Sequence, residues 1–371
     1  MMTFRPHFVA AVMLFSTMIY AQSSSPASKP QGPAAAKASS SHAAYPVMSQ
    51  AAEERGRSLF DMFKAGKAGA IWATYPAESR KNAENEKKFA ATLEQLKARL
   101  GPETKVVTEN ISPFLLKRAT IYSRLSEFAN TKAQVATVVM INEDGSTEPP
   151  GFMVRPLPSP PEGHNAGYKD TTRLKLPFSG QWLVYQGGHG VFDNAYQMTE
   201  DRQFAIDFVL LKNGSPFEGD ATTNEQFYCF GQPVLAPADG RVVRVVNDIG
   251  DNAPGKPSQD KPDGNMILIV HSGNEYSLLT NLKQNSIKLK HDDLVKQGDP
   301  VGECGNSGGS IAPRVHYQLQ NSAGFPTVES LPAQFADYIA DGKPVPVGEV
   351  VRGQMVSNGA ASSTPPPPEK K

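Results

Sequence analysis

Only two cysteines occur among the 371 residues, so a metal centre in this chain must draw on its seven histidines and its 37 Asp and Glu residues. His7 and His42 lie in apolar or low-complexity N-terminal sequence, and His164 lies in a Pro-rich break. His271 falls at the tip of a predicted hairpin and His291 in the charged run Lys288 to Asp293, where solvated side chains are expected. His189 stands in Gly187-Gly188-His189-Gly190, a loop setting that favours a surface histidine over a ligand. His316 is different, because it sits inside the β-rich run Val315 to Leu319. Arg314 precedes it by two residues and so shares its face of the strand. A guanidinium is protonated at any relevant pH and is neither a metal ligand nor a base. At ~5 Å from a divalent ion it opposes binding by several kcal/mol, even with an effective dielectric of about 20.

The elements that must position these residues are short strands. Pro233-Val234-Leu235-Ala236-Pro237 leads through Ala238-Asp239-Gly240 into Arg241 to Val246, and the Asp-Gly turn predicts a hairpin. Met266 to His271 and Glu275 to Leu279 form a second hairpin about Ser272-Gly273-Asn274. Leu294 to Gly302 then leads to the run Gly305 to Ser310, whose glycines permit close backbone approach beside His316. No Lys-Ser/Thr follows that run, so it is not a phosphate loop. Consecutive short strands with glycine turns predict an all-β antiparallel barrel or sandwich over residues 171–355. Lys212 to Phe227 reads as an insertion beside the groove, either setting access or forming a mobile surface loop. Cys229 and Cys304 both fall in this domain. A bridge and two buried thiols stand as equal alternatives, because spacing does not fix their separation.

Residues 46–155 form an independent α+β unit by the same reading. Leu59, Phe60, Met62 and Phe63 mark a first helix. Phe89, Leu93, Leu96 and Leu100 share one face of another, which Gly101-Pro102 stops. Val135 to Ile141 and Gly151 to Val154 then form strands about Glu143-Asp144-Gly145. The arrangement is similar to an NTF2-like cone, whose cavity Trp72 and Tyr75 could line, although core packing is the favoured reading for both. A Pro-rich linker, 156–170, joins the two domains. Residues 22–45 and 356–371 are too polar and Pro-rich to pack. Residues 1–21 read as a secretory signal, with Arg5 ahead of an apolar core of about 13 residues, too short to span a bilayer. The expected location is therefore exported, periplasmic or extracellular, with no membrane span after signal removal. Basic and acidic residues balance at 37 each, which argues against a nucleic-acid binder.

Leu176 to Trp182, Phe204 to Phe208, Ala312 to Tyr317 and Ser330 to Phe335 resemble segments of the LytM/lysostaphin-like zinc metalloendopeptidases, which cleave peptide cross-links in peptidoglycan. The resemblance implies the family's all-β duplicated hybrid motif and a zinc ion held by a His, an Asp and a second His. Two further His would assist catalysis. Asp207 matches the family's carboxylate ligand, and His316 its second zinc His. The other positions differ. Arg314 stands at the first His of the family's His-x-His, and Asn281, in Leu279-Thr280-Asn281-Leu282, at the other assisting His. An amide can donate to an oxyanion but cannot take a proton from water. The first zinc His would fall on Gln203, or in the Asn-x-His variant on Tyr196, leaving His189 as the nearby replacement.

The resemblance with these departures implies a hydrolase fold that has become a pseudoenzyme, with zinc weakly bound or absent. Arg314, Asn281 and Tyr196 are the candidate binding residues, and Asp207, His316 and His189 the candidate metal donors. The expected partners are peptidoglycan or a cell-wall hydrolase, and the guanidinium of Arg314 suits carboxylates. The alternatives are an active zinc endopeptidase using rearranged ligands such as His189 or Tyr196, and a structural adaptor.

Overall fold

The computed structural model describes residues 50–159, 165–324 and 328–359. The expected signal at 1–21, the tether at 22–45, and His7, His42 and His164 lie outside the described residues.

Three α-helices open the described chain: α1 (Gln50–Lys64), α2 (Ala68–Trp72) and α3 (Ala83–Leu100). The Asn82 side chain caps α3 by accepting from Glu84 N and Asn85 N, and Gly101 ends it in the left-handed region at φ 73°. The helices lie on a four-stranded antiparallel meander of β1 (Glu103–Pro113), β2 (Ala119–Phe128), β3 (Val135–Asn142) and β4 (Thr147–Pro156). Leu59, Phe60 and Phe63 from α1 meet Tyr122 and Val139 from the sheet. Gly56 is what lets α1 approach, since a Cβ there would come within 2.1 Å of the Tyr122 ring. Trp72 and Tyr75 stack at 5.0 Å within this core, which is the packing role expected of them. Residues one position away, Ile121, Val138 and Met140, pack on the opposite face of the sheet.

The second unit is built from β5 (Trp182–Gln186), β6 (Ile206–Val209), β7 (Pro233–Leu235), β8 (Gly240–Val246), β9 (Asn265–Val270) and β10 (Tyr276–Leu282). It continues with β11 (Leu294–Val295), β12 (Pro300–Glu303), β13 (Val315–Gln320), β14 (Ser330–Leu331), β15 (Phe335–Ala340), β16 (Lys343–Gly348) and β17 (Met355–Asn358). Eleven strands form one sheet in the order β11-β8-β9-β10-β13-β6-β5-β17-β15-β16, with β14 on β13, while β7 and β12 pair apart. Trp182, Phe178, Phe208 and Phe335 fill the core beneath it. Among the described residues no helix is long and apolar enough to cross a membrane.

Several expectations need correction. The hairpin about Asp239-Gly240 is absent: β7 pairs with β12, and β8 pairs with β9 and β11. Backbone donors around this segment are committed elsewhere, Leu235 N to Pro177 O and Ala236 N to Asp299 O. The Asp239 carboxylate accepts from Gln297 N and Lys296 Nζ, tying the turn to the loop after β11 instead. His271 is not solvated but 5% exposed, its Nδ1 2.8 Å from Asp239 O and its Nε2 2.8 Å from Ser277 Oγ. His291 is exposed. The tail does not begin at 356, because β17 pairs with β15 and β5 and buries Val356 completely. Part of the expected linker is also packed, with Leu157 N donating to Gln134 O and Tyr168 OH to the Glu275 carboxylate.

The insertion at 212–227 is likewise no mobile surface loop. Its Phe217 and Phe227 are buried with Leu183, Val209 and Ala312, together with Leu115 from the segment joining β1 to β2. Arg352 adds a polar contact between the units, reaching Phe192 O at 2.9 Å and Ser112 Oγ at 3.2 Å. Cys229 and Cys304 are bridged, with a Cα separation of 5.8 Å.

Replacing both cysteines by serine removes a cross-link spanning 75 residues, and is expected to lower unfolding free energy by ~2–5 kcal/mol in denaturant titrations. Burial pushes the His271 imidazole below its usual range, although its bond to Asp239 partly opposes this. The unfolded chain therefore binds more protons here, and stability falls as pH drops through ~6.5 toward the lower folded value. His271→Gln is expected to remove that part of the acid destabilisation, read as a flatter Tm profile between about pH 7 and 5.

Candidate functional site

The middle of the large sheet carries the site. β13 lies between β10 and β6, so His316 faces Asp207 across one ladder and Thr280 across the other. Asp207 is 2% exposed, His316 6% and Arg314 8%. His316 Nδ1 lies 2.8 Å from Asp207 Oδ1, and Tyr196 OH donates to Asp207 Oδ2 at 3.0 Å. Arg314 Nε is 3.4 Å from the same Oδ2 but makes no hydrogen bond. Burial alone would raise the Asp207 carboxyl. The Arg314 charge and the bonds from His316 and Tyr196 outweigh it and hold the group below the ordinary carboxylate range.

Tyr196 is placed by a single helical turn, Ala195–Met198, whose cap is Asn194. Asn194 Oδ1 accepts from Tyr196 N, and its Nδ2 donates to Gln203 O and Ala205 O, fastening the turn to the start of β6. The Tyr196 ring then meets His316 edge-on at 5.1 Å. Its hydroxyl is pushed above its ordinary range by burial and by the Asp207 charge, which keeps it a neutral donor.

Asn281 sits where the β9–β10 register breaks, in the left-handed region at φ 59°. Its Nδ2 donates to Ser307 O at 2.9 Å, so the amide braces the glycine-rich run. That run does flank the site: Gly305 bridges Arg314, and a Cβ on Gly308 would come within 2.4 Å of Gly264 N. His189 stands outside this constellation. It is partly exposed, with Nε2 2.5 Å from Glu349 Oε2.

These positions decide how well a catalytic zinc fits. Such an ion takes three protein ligands and keeps one open position for water. Asp207 and His316 supply two donors that already bond each other, while Tyr196 and Arg314 cover the second carboxylate oxygen. No group of three or more His, Cys, Asp or Glu that could hold a metal is gathered among the described residues. The residues present do not make up a catalytic zinc set.

What they do line is a groove of about 490 Å³. Arg314, His316, Gln318 and Gln320, alternate residues of one extended run, share its wall. Tyr196 and Asn281 line it too, so the three candidate binding residues come together. Sequence reasoning missed Gln318, Arg202 and Arg244. The first was signalled by the period-two face that begins at Arg314. Arg202 ends a single helical turn and Arg244 lies on β8, far apart in sequence, and nothing local marks them. Arg202 pairs with Asp201 at 3.3 Å and Asp263 at 3.7 Å, whereas Arg244 is exposed on β8.

Comparison with known proteins assigns part of this arrangement to a family. Residues 226–326 match Peptidase family M23, so the chain carries a domain of that family. That span includes Asn281, Arg314 and His316 but not Asp207 or Tyr196. The cell division protein DipM of Caulobacter vibrioides is 27% identical over 99 residues, 27% of this chain and 14% of that protein. The lipoprotein NlpD of Yersinia enterocolitica is 29% identical over 90 residues, 24% of this chain and 78% of its own length. The chain therefore spans only a small part of the first of these relatives. Among solved structures, the catalytic domain of lysostaphin from Staphylococcus simulans aligns with 21% identity and a TM-score of 0.25, over 41% of this chain and 88% of that one.

Removing Asp207 strands a buried guanidinium. Asp207→Ala is expected to lower stability by ~3–5 kcal/mol. Adding Arg314→Met in the same chain is expected to recover most of that loss, read by denaturant titration of the single and double variants.

Proposed function

Taking the family M23 domain as the premise, we propose that this chain is an exported, cell-wall-associated protein whose peptidase-fold groove binds peptide and does not cleave it. The observation that carries the reading is the Arg314–Asp207–His316 constellation. Where the resemblance calls for a metal and a base, a permanent cation is paired with the carboxylate. The bound partner is peptidoglycan or a cell-wall hydrolase. The names of the similar proteins, a cell division protein and a lipoprotein, are in keeping with a role at the cell surface.

An active zinc endopeptidase is the second reading, favoured by the Asp207–His316 pair, which preserves two of the donors that the resemblance implies. It requires a third ligand and a base in place of Asn281 and Arg314.

Metal analysis of the purified mature chain, together with peptide release from isolated cell walls, separates the two. The expected result is sub-stoichiometric zinc, no peptide release, and sedimentation of the protein with the walls. Equimolar zinc lost in His316→Ala, accompanied by wall cleavage, overturns the proposal.

A further inference from the structure

Arg314 poses a bonding problem that its own fold does not solve. It is nine-tenths buried, yet no N–H of its guanidinium donates a hydrogen bond among the described residues, and its Nε is a buried donor with no partner. Asp207 balances its charge at 3.4 Å and accepts hydrogen bonds from His316 and Tyr196, but none from Arg314. Neighbouring amides are engaged as well. Asn281 Nδ2 donates to Ser307 O, and Gln318 Nε2 donates to Asp201 O and Gln320 Oε1. Buried donors left without acceptors are costly, and a guanidinium carries several in a rigid fork.

The groove gives that fork an outlet. Arg314 is one of its lining residues, as is Arg244. Arg244 is exposed and makes no ion pair or hydrogen bond among the described residues, while Arg202, also in the lining, is held by Asp201 and Asp263. The lining therefore presents one buried guanidinium with an unpartnered donor and one solvent-facing guanidinium whose charge has no ion-pair partner among the described residues. A volume of about 490 Å³ lies within the range of sites for small ligands and short peptide segments.

We propose that the groove selects peptides bearing a free carboxylate, which the Arg314 guanidinium bonds on the groove wall and Arg244 attracts from solvent. This deepens the binding reading above and rests on it. A carboxylate offers the paired acceptors that a guanidinium fork matches, whereas a C-terminal amide offers one acceptor and two hydrogens that face the fork unfavourably. Arg314 is thereby a specificity residue, and Arg244 a contributor to affinity that weakens with salt.

Fluorescence anisotropy on the full chain, with labelled Lys-D-Ala-D-Ala as the free acid and as its C-terminal amide, tests the idea beside sedimentation with isolated cell walls. The acid is expected to bind at least about tenfold more tightly than the amide. Arg314→Gln is expected to erase the preference. Arg314→Lys, which keeps the charge beside Asp207 and so guards against misfolding, is expected to reduce it strongly because the fork is lost. Arg244→Gln is expected to weaken acid binding and flatten its salt dependence. Equal binding of acid and amide, or a preference that survives both Arg314 variants, overturns the inference. Wall binding without any preference for the acid leaves the binding reading standing and sinks this one. Failure to bind walls and both peptides sinks the two together.

Discussion

A single buried carboxylate organises the site. Asp207 lies at the centre of the eleven-stranded sheet, 2% exposed, where an unpartnered carboxyl would take up a proton. Three groups prevent that: the imidazole of His316 on one oxygen, and the hydroxyl of Tyr196 with the cation of Arg314 on the other. Each reaches Asp207 from a different place in the chain, so the carboxylate fixes the relation of β6, β13 and the turn at 195–198. The same interaction makes a buried arginine tolerable, since a guanidinium that far from solvent needs a counter-charge.

Around this centre the fold supplies stiffness more than chemistry. Asn194 ties the Tyr196 turn to the carbonyls of Gln203 and Ala205, so the tyrosine cannot swing away without breaking both bonds. On the other side the Cys229–Cys304 bridge ends one residue before Gly305, whose carbonyl accepts from Arg314 N. The backbone at Arg314 is thus held by a run that is anchored covalently at one end and braced by Asn281 at Ser307. The insertion at 212–227 extends this stiffening outward by burying Phe217 and Phe227 with Leu115 of the first unit.

Much of this was legible in the sequence for a definite reason. The helices of the first unit follow from apolar spacing plus strong stops, as with Leu93, Leu100 and the left-handed Gly101. The Arg314–His316 face follows from strand periodicity alone. What was not legible depends on distant partners. β1 is exposed or half-buried at nine of its eleven residues and carries Glu103, Lys105 and Glu109, so it lacks an apolar alternation to betray it. Glu103 and Glu109 instead bind Arg124 across the ladder, a network that local pattern does not announce. The Asp239-Gly240 turn misled because a tight-turn dipeptide reports a change of direction, not which strands pair. His271 misled for a related reason: it ends a hairpin strand, but Asp239 from another segment and Ser277 from the partner strand close over it.

The resemblance puts Arg314 where the family carries a histidine, and that difference changes the kind of chemistry the groove can perform. An imidazole can gain and lose a proton near neutral pH and can ligate a metal, so it serves steps in which charge moves. A guanidinium does neither, but offers fixed charge and a planar set of donors whose geometry does not vary with pH. Asp207 cannot serve both arrangements fully: as the counter-charge of Arg314 it faces a cation that disfavours a second, divalent one nearby. Tyr196 strengthens the same bias, because its buried neutral hydroxyl donates to the oxygen nearest Arg314 and completes the carboxylate without a metal. A site so balanced is suited to holding a ligand in one orientation. In the proposed reading, the peptide groove of a hydrolase fold is retained while the directional donors of Arg314 replace reactivity with selection.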